Sequence, residues 1–319
     1  MTEFPHLYPG AGKIAALSAE ERIHRIRADR WISYPRAEAA LEKLETLMSF
    51  PERARMPNLL IVGDSGMGKT MIIEKFTRDH ASSFDEASGR LHMPVVAVQM
   101  VSGPDESRFY RRILAAIGAP EPPRATLSVL ESLALRLLTE LRPGMLVIDE
   151  IHSLQAGTIR EQARFLNMLR FLGNELRIPL VCVGTAHARN ALRTDDQLVR
   201  RFEAFALPPW REGEDLNGLM STLTRTLPLR RQSEIDGHAL TRMIKVTGGT
   251  RAVGDKSANL VIIPKTATIT GGDTQVIVIT LRAANVGQHL LQSSFFCKEL
   301  KQPLARTDAI TTLPGVLGP

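Results

Sequence analysis

The sequence predicts an α/β protein built on a parallel five-stranded sheet with helices on both faces. Between about residues 20 and 250, short apolar runs alternate with longer amphipathic segments, as in parallel strands joined by crossover helices. The apolar runs lack a regular alternation of apolar and polar residues, which indicates strands that are covered on both faces. A glycine-rich stretch follows the first run and opens a helix-like segment, as expected in a doubly wound sheet.

The predicted strands are short and rich in Val, Ile and Leu. They span residues 58–63, 95–100, 145–150, 180–185 and 203–208. Two intervening segments, residues 126–142 and the stretch that begins at Ile159, carry apolar residues at spacings of three and four and are predicted helices. Ligands bind at the carboxyl ends of the strands in such sheets, so we expect the loops after the first four strands to share one crevice.

The strongest chemical signal is the stretch "GDSGMGKT", which matches the phosphate-loop pattern G-x-x-x-x-G-K-[ST] in full. It comprises Gly63, Asp64, Ser65, Gly66, Met67, Gly68, Lys69 and Thr70. The glycines let backbone N–H groups turn inward around a phosphate at the N-terminus of a helix. Lys69 is then expected to reach the β and γ phosphates of a nucleotide, and the Thr70 hydroxyl to ligate Mg²⁺.

The predicted strand "MLVIDE" ends in two acids, Asp149 and Glu150. We expect this strand to lie beside the phosphate-loop strand, so that Asp149 holds Mg²⁺ through water and Glu150 orients and deprotonates an attacking water. Hydrolysis needs both carboxylate roles, whereas a small-molecule kinase needs no water-activating glutamate. The pair therefore favours a nucleoside triphosphatase, with two solvated acids at a strand end as the alternative.

Three further residues are candidates for the same chemistry. Thr185 ends a strand that we expect beside the phosphate-loop strand. Its hydroxyl either hydrogen-bonds the γ-phosphate or the attacking water, or caps the next helix. Arg200 and Arg201 precede the fifth strand, and they are either an arginine finger for a neighbouring subunit or solvated surface residues.

Large apolar residues precede the helix that leads to the phosphate loop. Trp31, Ile32 and Tyr34 are predicted to form the wall that holds a nucleotide base. A hydrophobic staple at the start of that helix is an equally open interpretation.

Composition narrows the class of protein. The chain has 319 residues, no apolar run near the roughly 18 residues of a membrane-spanning helix and no signal-peptide pattern, so we expect a cytoplasmic protein without membrane contact. The two cysteines and eight histidines show neither disulfide nor metal-ligand spacing. The formal charge of +6 is shared equally between residues 1–250 and 251–319, so global charge argues only weakly for nucleic-acid binding.

Taken in order, residues 31–70, 146–154, 181–188 and 195–210 resemble the TniB family of transposition proteins. These are AAA+ ATPases of Tn5053/Tn402-type mobile elements and are related to the TnsC transposition regulators. The phosphate loop and the Asp-Glu pair are common to P-loop ATPases, whereas "RMPNLLIVGDS" and "FALPPW" are more particular to this family. The resemblance covers roughly residues 5–250.

The resemblance implies a P-loop NTPase fold of the AAA+ type. It also implies an ATP-dependent oligomer that binds double-stranded DNA and acts with a DDE transposase of the TniA-like type. Residues Gly63 to Thr70 would be Walker A and bind ATP with Mg²⁺, while Asp149 and Glu150 would be Walker B. Thr185 would be sensor 1.

Arginines complete the functions that the resemblance implies. One of Arg200 and Arg201 would be the arginine that acts on a neighbouring subunit. The helix predicted after the second strand carries Arg108, Arg111 and Arg112, which we expect to contact DNA phosphates. A solvated helix face is the alternative for those three.

The chain is expected to consist of four segments. Residues 1–50 hold an N-terminal segment and the adenine-side helix, residues 51–209 the ATPase core, and residues 210–250 a partial helical lid. Residues 251–319 form an atypical tail, irregular or rich in β-structure.

The tail departs from the family pattern. In the family, "TGGT" is usually followed by Gly-Arg and a helix whose arginine is sensor 2, but here Arg251 opens an unrelated stretch. We hypothesise that the reading frame was truncated or joined to foreign sequence near residue 250. A genuine alternative C-terminal domain is the other possibility.

The sequence thus predicts an ATP-binding and ATP-hydrolysing regulator of DNA transposition that assembles on target DNA. Two alternatives remain open: an ATPase that resembles the loaders of replicative helicases, and a truncated nucleotide-binding protein without turnover. Binding to a cognate transposase distinguishes the first alternative, and turnover of ATP distinguishes the second.

Overall fold

The computed structural model describes residues 4–100, 102–192, 200–233, 235–247, 287–295 and 304–312. The chain divides into two compact units, Met1–Leu260 and Val261–Pro319. The first unit contains the predicted α/β sheet and the helices that cover it.

Five of the seven strands described in the first unit match the predicted ones to within one residue at each end, and two short strands were not predicted. In chain order the seven strands are β1 (Asn58–Gly63), the unpredicted β2 (Ser83–Asp85) and β3 (Arg90–His92), β4 (Val95–Gln99), β5 (Met145–Asp149), β6 (Leu180–Gly184) and β7 (Phe202–Leu207). Five of them form a parallel sheet in the order β4-β5-β6-β1-β7. β5 and β6 are buried along their whole length, which explains why their sequences do not alternate.

The strand order corrects one prediction. β6 pairs with both β1 and β5, so the strand that ends in Asp149 is not the neighbour of the phosphate-loop strand. After β1 the chain crosses to the far edge at β4 and then returns through β5 and β6. The apolar pattern could not reveal this order, because it shows where strands occur and not which strands pair. Thr185 directly follows β6, which is the neighbour of β1 as predicted.

Helices flank the sheet on both faces. In chain order they are α1 (Pro9–Ala15), α2 (Ala19–Ile26), α3 (Pro35–Met48), α4 (Lys69–Asp79), α5 (Glu106–Ala116), α6 (Leu127–Leu141), α7 (Ile159–Leu176), α8 (Ala186–Leu192), α9 (Glu214–Thr226) and α10 (Gly237–Thr247). None of the helices in the described ranges combines the length and the apolarity that crossing a bilayer requires.

The two predicted amphipathic helices, α6 and α7, are confirmed, except that Ile159 and Ala163 of the predicted apolar stripe of α7 are exposed. Leu130, Ala134 and Leu138 of α6 are fully buried, as their spacing requires. Ile159 was expected on the buried face of α7 but is 83% exposed, because it is the first residue of that helix and precedes the turn that packs on the sheet.

The N-terminal helices pack against the end of α9 through arginine side chains. Arg30 donates a hydrogen bond to the last carbonyl of α9, and Arg22 donates to a carbonyl two residues further on. Arg230, which follows α9, donates to the carbonyl of Ala15 at the end of α1 and to the carbonyl of Leu17. The segment before α3 is therefore fixed to the end of α9 and to the residues that follow it.

Two pairs of antiparallel strands lie outside the central sheet. β2 and β3 form a short hairpin in the first unit, where Phe84 pairs with Leu91 and both side chains are exposed. In the second unit, β8 (Gly287–Phe295) pairs with β9 (Leu304–Thr312). The remainder of the predicted tail, including Arg251, lies outside the described residues.

Candidate nucleotide-binding site

The predicted phosphate loop connects β1 to α4. Gly66 and Gly68 have φ angles of 76° and 81°, in the left-handed region that residues with a Cβ rarely adopt. A Cβ on Gly63 would lie 2.8 Å from the backbone oxygen of Leu207, at the end of the neighbouring strand β7. The glycines are thus required by the turn and by the close approach of two strands, and the loop leads directly into the N-terminus of α4.

Lys69 is buried beneath the loop, with 6% of its surface exposed. Its Nζ donates hydrogen bonds to the carbonyl oxygens of Gly63 and Asp64, each at 2.8 Å. An ammonium group has three N–H donors, so one donor remains for a ligand. Burial lowers the pKa of Lys69, and the carboxylates of Glu150 and Asp149 oppose that shift.

Thr70 and Asp149 are in direct contact although β6 separates their strands. The Thr70 hydroxyl donates to Asp149 Oδ2 at 2.8 Å, because the loop and the first turn of α4 extend over the end of β6. The other oxygen of Asp149 accepts from the Glu150 N–H at 2.7 Å. The Thr70 hydroxyl and the Asp149 carboxylate therefore lie next to the loop. Both supply oxygen ligands, which Mg²⁺ prefers.

Glu150 follows Asp149 in a strained backbone conformation. Its φ and ψ angles are 58° and 33°, in the left-handed helical region, which costs a residue with a Cβ about 1–3 kcal/mol. This conformation ends β5 and starts the 3₁₀ turn Ile151–Ala156. The side chain of Glu150 remains one-third exposed and faces His152, whose Nδ1 lies 3.1 Å from Oε2. His152 was not singled out from the sequence, although its place two residues after Glu150 was visible.

Thr185 occupies the crevice position expected for it. The strand that it follows, β6, lies between the strands that carry the loop and Asp149. The backbone oxygen of Thr185 accepts from the N–H of Ala188 at the start of α8. Its buried hydroxyl, however, has no hydrogen-bond partner among the described residues, so the side chain does not cap that helix. A buried hydroxyl without a partner fits a position that a bound ligand or water satisfies.

The residues expected to form the base wall are part of the apolar core. Ile32 and Tyr34 are buried, and Trp31 packs against the same cluster, which also contains Met67 of the phosphate loop. The ring of Tyr34 packs against Trp210, with 4.9 Å between ring centroids. This packing connects the segment before α3 to the loop, and contact with a base stays a prediction.

Arg200 and Arg201 lie far from the phosphate loop of their own chain. They precede β7 at the amino end of the sheet, where the Asn58 N–H donates to the Arg201 carbonyl. The loop begins at the other end of β1, about 20 Å away at 3.3 Å per residue. Arg201 also donates from its guanidinium to Asn174 at 2.8 Å, whereas Arg200 is exposed. Neither arginine therefore contributes to the site of its own chain.

The three arginines of α5 have different surroundings. Arg108 and Arg112 are exposed, and Arg108 has a distant ion pair of 3.9 Å with Asp105. Arg111 is less exposed and forms an ion pair with Glu121. Of the three arginines of α5, Arg108 and Arg112 are therefore the most accessible to a polyanion.

A parallel five-stranded sheet in the order β4-β5-β6-β1-β7, with a glycine-rich loop between β1 and the following helix, defines a P-loop NTPase fold of the AAA+ class. The family model described as "Bacterial TniB protein" matches residues 22–212. The chain therefore belongs to the TniB family. No curated protein matches the chain in sequence.

Several solved structures are similar at low identity. The ORC1 protein of Aeropyrum pernix, in complex with DNA, has 20% identity and a TM-score of 0.43, over 60% of this chain and 49% of that one. Cdc6p from Pyrobaculum aerophilum has 18% identity and a TM-score of 0.44, over 62% and 52% respectively. The Walker-type ATPase paby2304 of Pyrococcus abyssi has 12% identity and a TM-score of 0.49, over 71% and 68%. This chain spans about half the length of the first two proteins.

Proposed function

We propose that the protein is an ATP-hydrolysing regulator of DNA transposition, which assembles with copies of itself on double-stranded target DNA and acts with a DDE transposase. One observation carries this proposal: Lys69, Thr70, Asp149 and Glu150 converge at the carboxyl end of the central sheet. Membership of the TniB family supports the role in transposition.

The phosphate chain of ATP is held by the loop and by Lys69. The inward N–H groups of the loop and the remaining N–H of Lys69 donate to phosphate oxygens. The hydroxyl of Thr70 and the carboxylate of Asp149 hold Mg²⁺, which neutralises negative charge on the phosphates when bound. Trp31, Ile32 and Tyr34 supply the apolar wall on the side of the base.

Glu150 is the general base of the proposed hydrolysis. Its carboxylate accepts a proton from a water whose oxygen forms a bond to the γ-phosphorus, while the bond between that phosphorus and the ADP oxygen breaks. The hydroxyl of Thr185 donates to the γ-phosphate or to this water, which satisfies the group that otherwise lacks a partner.

Hydrolysis requires a neighbouring copy of the chain. Because Arg200 and Arg201 lie about 20 Å from their own phosphate loop, either can stabilise transition-state charge only in the site of an adjacent subunit. Assembly on DNA then couples DNA binding to turnover, with Arg108 and Arg112 of α5 as contacts to phosphates. Arg111 contributes less, since it is already paired with Glu121.

The DNA part of the proposal is tested by fluorescence anisotropy of a labelled duplex, titrated with the full-length protein in ATP, in ADP and without nucleotide. We expect tight binding only with ATP, and weaker binding with a smaller salt dependence after Arg112→Ala. Arg78→Ala, which removes an exposed arginine on α4, is the matched control. Equal binding in all three nucleotide states would contradict an ATP-dependent assembly.

The partnership is tested separately by capture of a purified TniA-like DDE transposase on the assembled complex. We expect retention that requires both ATP and DNA. Retention of a replicative helicase in its place would instead support the loader alternative.

A further inference from the structure

The 3₁₀ turn after Glu150 is held firmly against the sheet. Ile151 and Leu154 are fully buried, and the turn packs on β6 and on α8. Gly184 allows this close packing, because a Cβ there would lie 3.1 Å from the Ile151 side chain and 3.3 Å from the backbone nitrogen of His152. The backbone that carries His152 is therefore fixed relative to β6.

The imidazole of His152 lies next to the carboxylate of Glu150. Nδ1 lies 3.1 Å from Oε2, and the two side chains are similarly exposed, at 31% and 33%. Nδ1 itself is buried, and it makes no hydrogen bond of good geometry in the part of the chain that the structure describes. The two atoms are thus at hydrogen-bond distance but off the N–H direction, so the hydrogen bond requires a rotation of one of the side chains. In the tautomer that carries the proton on Nδ1, an unpaired buried donor is unfavourable, and Oε2 of Glu150 is the acceptor within reach.

We propose that His152 is a positioning residue for Glu150, an inference that rests on the hydrolytic function proposed above. The Nδ1–H group donates to Oε2 and holds the carboxylate in one rotamer. Oε1 is then left to accept the proton of the attacking water, while His152 touches neither the water nor the phosphates. The left-handed conformation of Glu150 is what allows residues two positions apart to face each other in this way.

The chemistry of the contact specifies which substitutions preserve it. The side-chain amide of asparagine places an N–H close to the position of Nδ1, whereas that of glutamine places it nearer to Nε2. We expect kcat for ATP to fall about tenfold or more in His152→Ala and in His152→Gln, with KM and ATP affinity unchanged. His152→Asn retains most of the turnover. Recovery by asparagine alone separates positioning from a general effect on folding.

The decisive experiment is a double-mutant cycle with Glu150→Gln in the full-length protein. If His152 acts through Glu150, His152→Ala lowers kcat in the wild-type background and causes no further loss in the Glu150→Gln background. His187→Ala is the control, since it removes an exposed histidine of the neighbouring helix α8 and should leave kcat unchanged.

The outcomes of the cycle distinguish a failure of the positioning role from a failure of the proposed hydrolytic function. Equal losses in both backgrounds, or a His152→Ala protein with unchanged or raised kcat, overturn the positioning role while leaving the hydrolytic function intact. A wild-type protein without Glu150-dependent turnover overturns both proposals.

Discussion

Lys69 combines burial with charge, and we therefore expect nucleotide binding to depend on this residue most directly. Its ammonium group is held by two loop carbonyls, and burial lowers its pKa despite the acids nearby. The ammonium group keeps one N–H that is not bonded to the loop, and its low exposure to water strengthens its attraction for an anion. Lys75, the other lysine of the same helix, pairs with Asp79 and is not held by the loop.

Replacement of Lys69 by alanine should abolish detectable binding of ATP, because it removes the only charge-assisted donor that the loop itself provides. Isothermal titration calorimetry with Mg²⁺ and ATP measures the loss. Lys75→Ala is the matched control, since Lys75 lies on the same helix α4 but pairs with Asp79 at the surface. Retention of wild-type affinity by the Lys69 variant would show that the phosphates do not reach the loop.

Among the elements, the contact between β6 and the 3₁₀ turn places Glu150 relative to Thr185. Gly184 permits the contact, and its absent Cβ would lie 2.9 Å from the Cβ of Ala188. Backbone packing of this kind leaves no room for adjustment by side-chain rotation. The geometry of Glu150, the proposed general base, is therefore coupled to a glycine that makes no chemical contribution of its own.

Gly184→Ala should lower the free energy of unfolding by about 1–3 kcal/mol, because the added methyl group overpacks the turn. Gly218→Ala in α9 has nothing within 4 Å of the new Cβ and should raise it by about 0.5–1 kcal/mol. Urea unfolding followed by tryptophan fluorescence reports on the first unit, since both tryptophans, Trp31 and Trp210, lie there. Equal effects of the two substitutions would contradict the close contact.

The N-terminus of α7 has a capping box whose stability depends on pH. Thr158 Oγ1 accepts from the Glu161 N–H, and Glu161 accepts in return from the N–H and the hydroxyl of Thr158. These hydrogen bonds lower the pKa of Glu161 below its ordinary value. Because the folded-state pKa is the lower one, the stabilisation is complete above the ordinary glutamate pKa of about 4.3 and is lost as the pH falls through the folded value.

Thr158→Ala should therefore reduce the free energy of unfolding at pH 7 by about 1 kcal/mol, the usual cost of a lost N-cap. The difference from the wild type should shrink in acid, as measured by urea unfolding at several pH values. Thr139→Ala, at an exposed position inside α6, should show no such pH-dependent loss. A difference that stays constant from neutral to acidic pH would argue against the reciprocal hydrogen bonds.

At the scale of the whole molecule, the two ends of the central sheet carry different candidate functional residues. Its carboxyl end carries the phosphate loop and the two acids, while its amino end carries Arg200 and Arg201. A single chain therefore has both halves of the proposed hydrolytic machinery but cannot bring them together. In the proposed mechanism, the site is completed by an assembly in which the amino end of one sheet meets the carboxyl end of the next.

Mixing of variants tests this arrangement. Arg200→Ala and Glu150→Gln should each hydrolyse ATP slowly alone, whereas an equimolar mixture should recover part of the wild-type rate, since some subunits with an intact Glu150 receive Arg200 from a neighbour. The same mixture with Arg201→Ala determines which arginine serves. The absence of recovery with either arginine variant would contradict action between subunits.

The sequence was sufficient to locate the strands of the central sheet, because strand and helix patterns are local. The five strands of the sheet were located to within one residue, and the resemblance to the TniB family is confirmed. The order of the strands was not predictable, since the apolar pattern of β5 carries no information about whether β1 or β6 lies beside it. The hairpin of β2 and β3 escaped prediction because its three-residue strands are exposed and make no core contacts.

The same distinction applies to the candidate site. The motif identified the loop and the two acids, because each motif is a short run of neighbouring residues. The contact between Glu150 and His152 depends on a left-handed backbone conformation that is unusual for glutamate, so no propensity argument could place them face to face. The burial of Ile32 and Tyr34 in the core was similarly a consequence of tertiary packing.

The measurement that tests the central claim most directly is steady-state hydrolysis of ATP by the full-length protein in Mg²⁺, with and without duplex DNA, beside the Glu150→Gln variant. We predict turnover that rises with DNA and is lost in the variant, while both proteins bind ATP with similar affinity. Turnover no higher than that of the variant, with ATP still bound, would contradict hydrolysis and reduce the site to nucleotide binding alone.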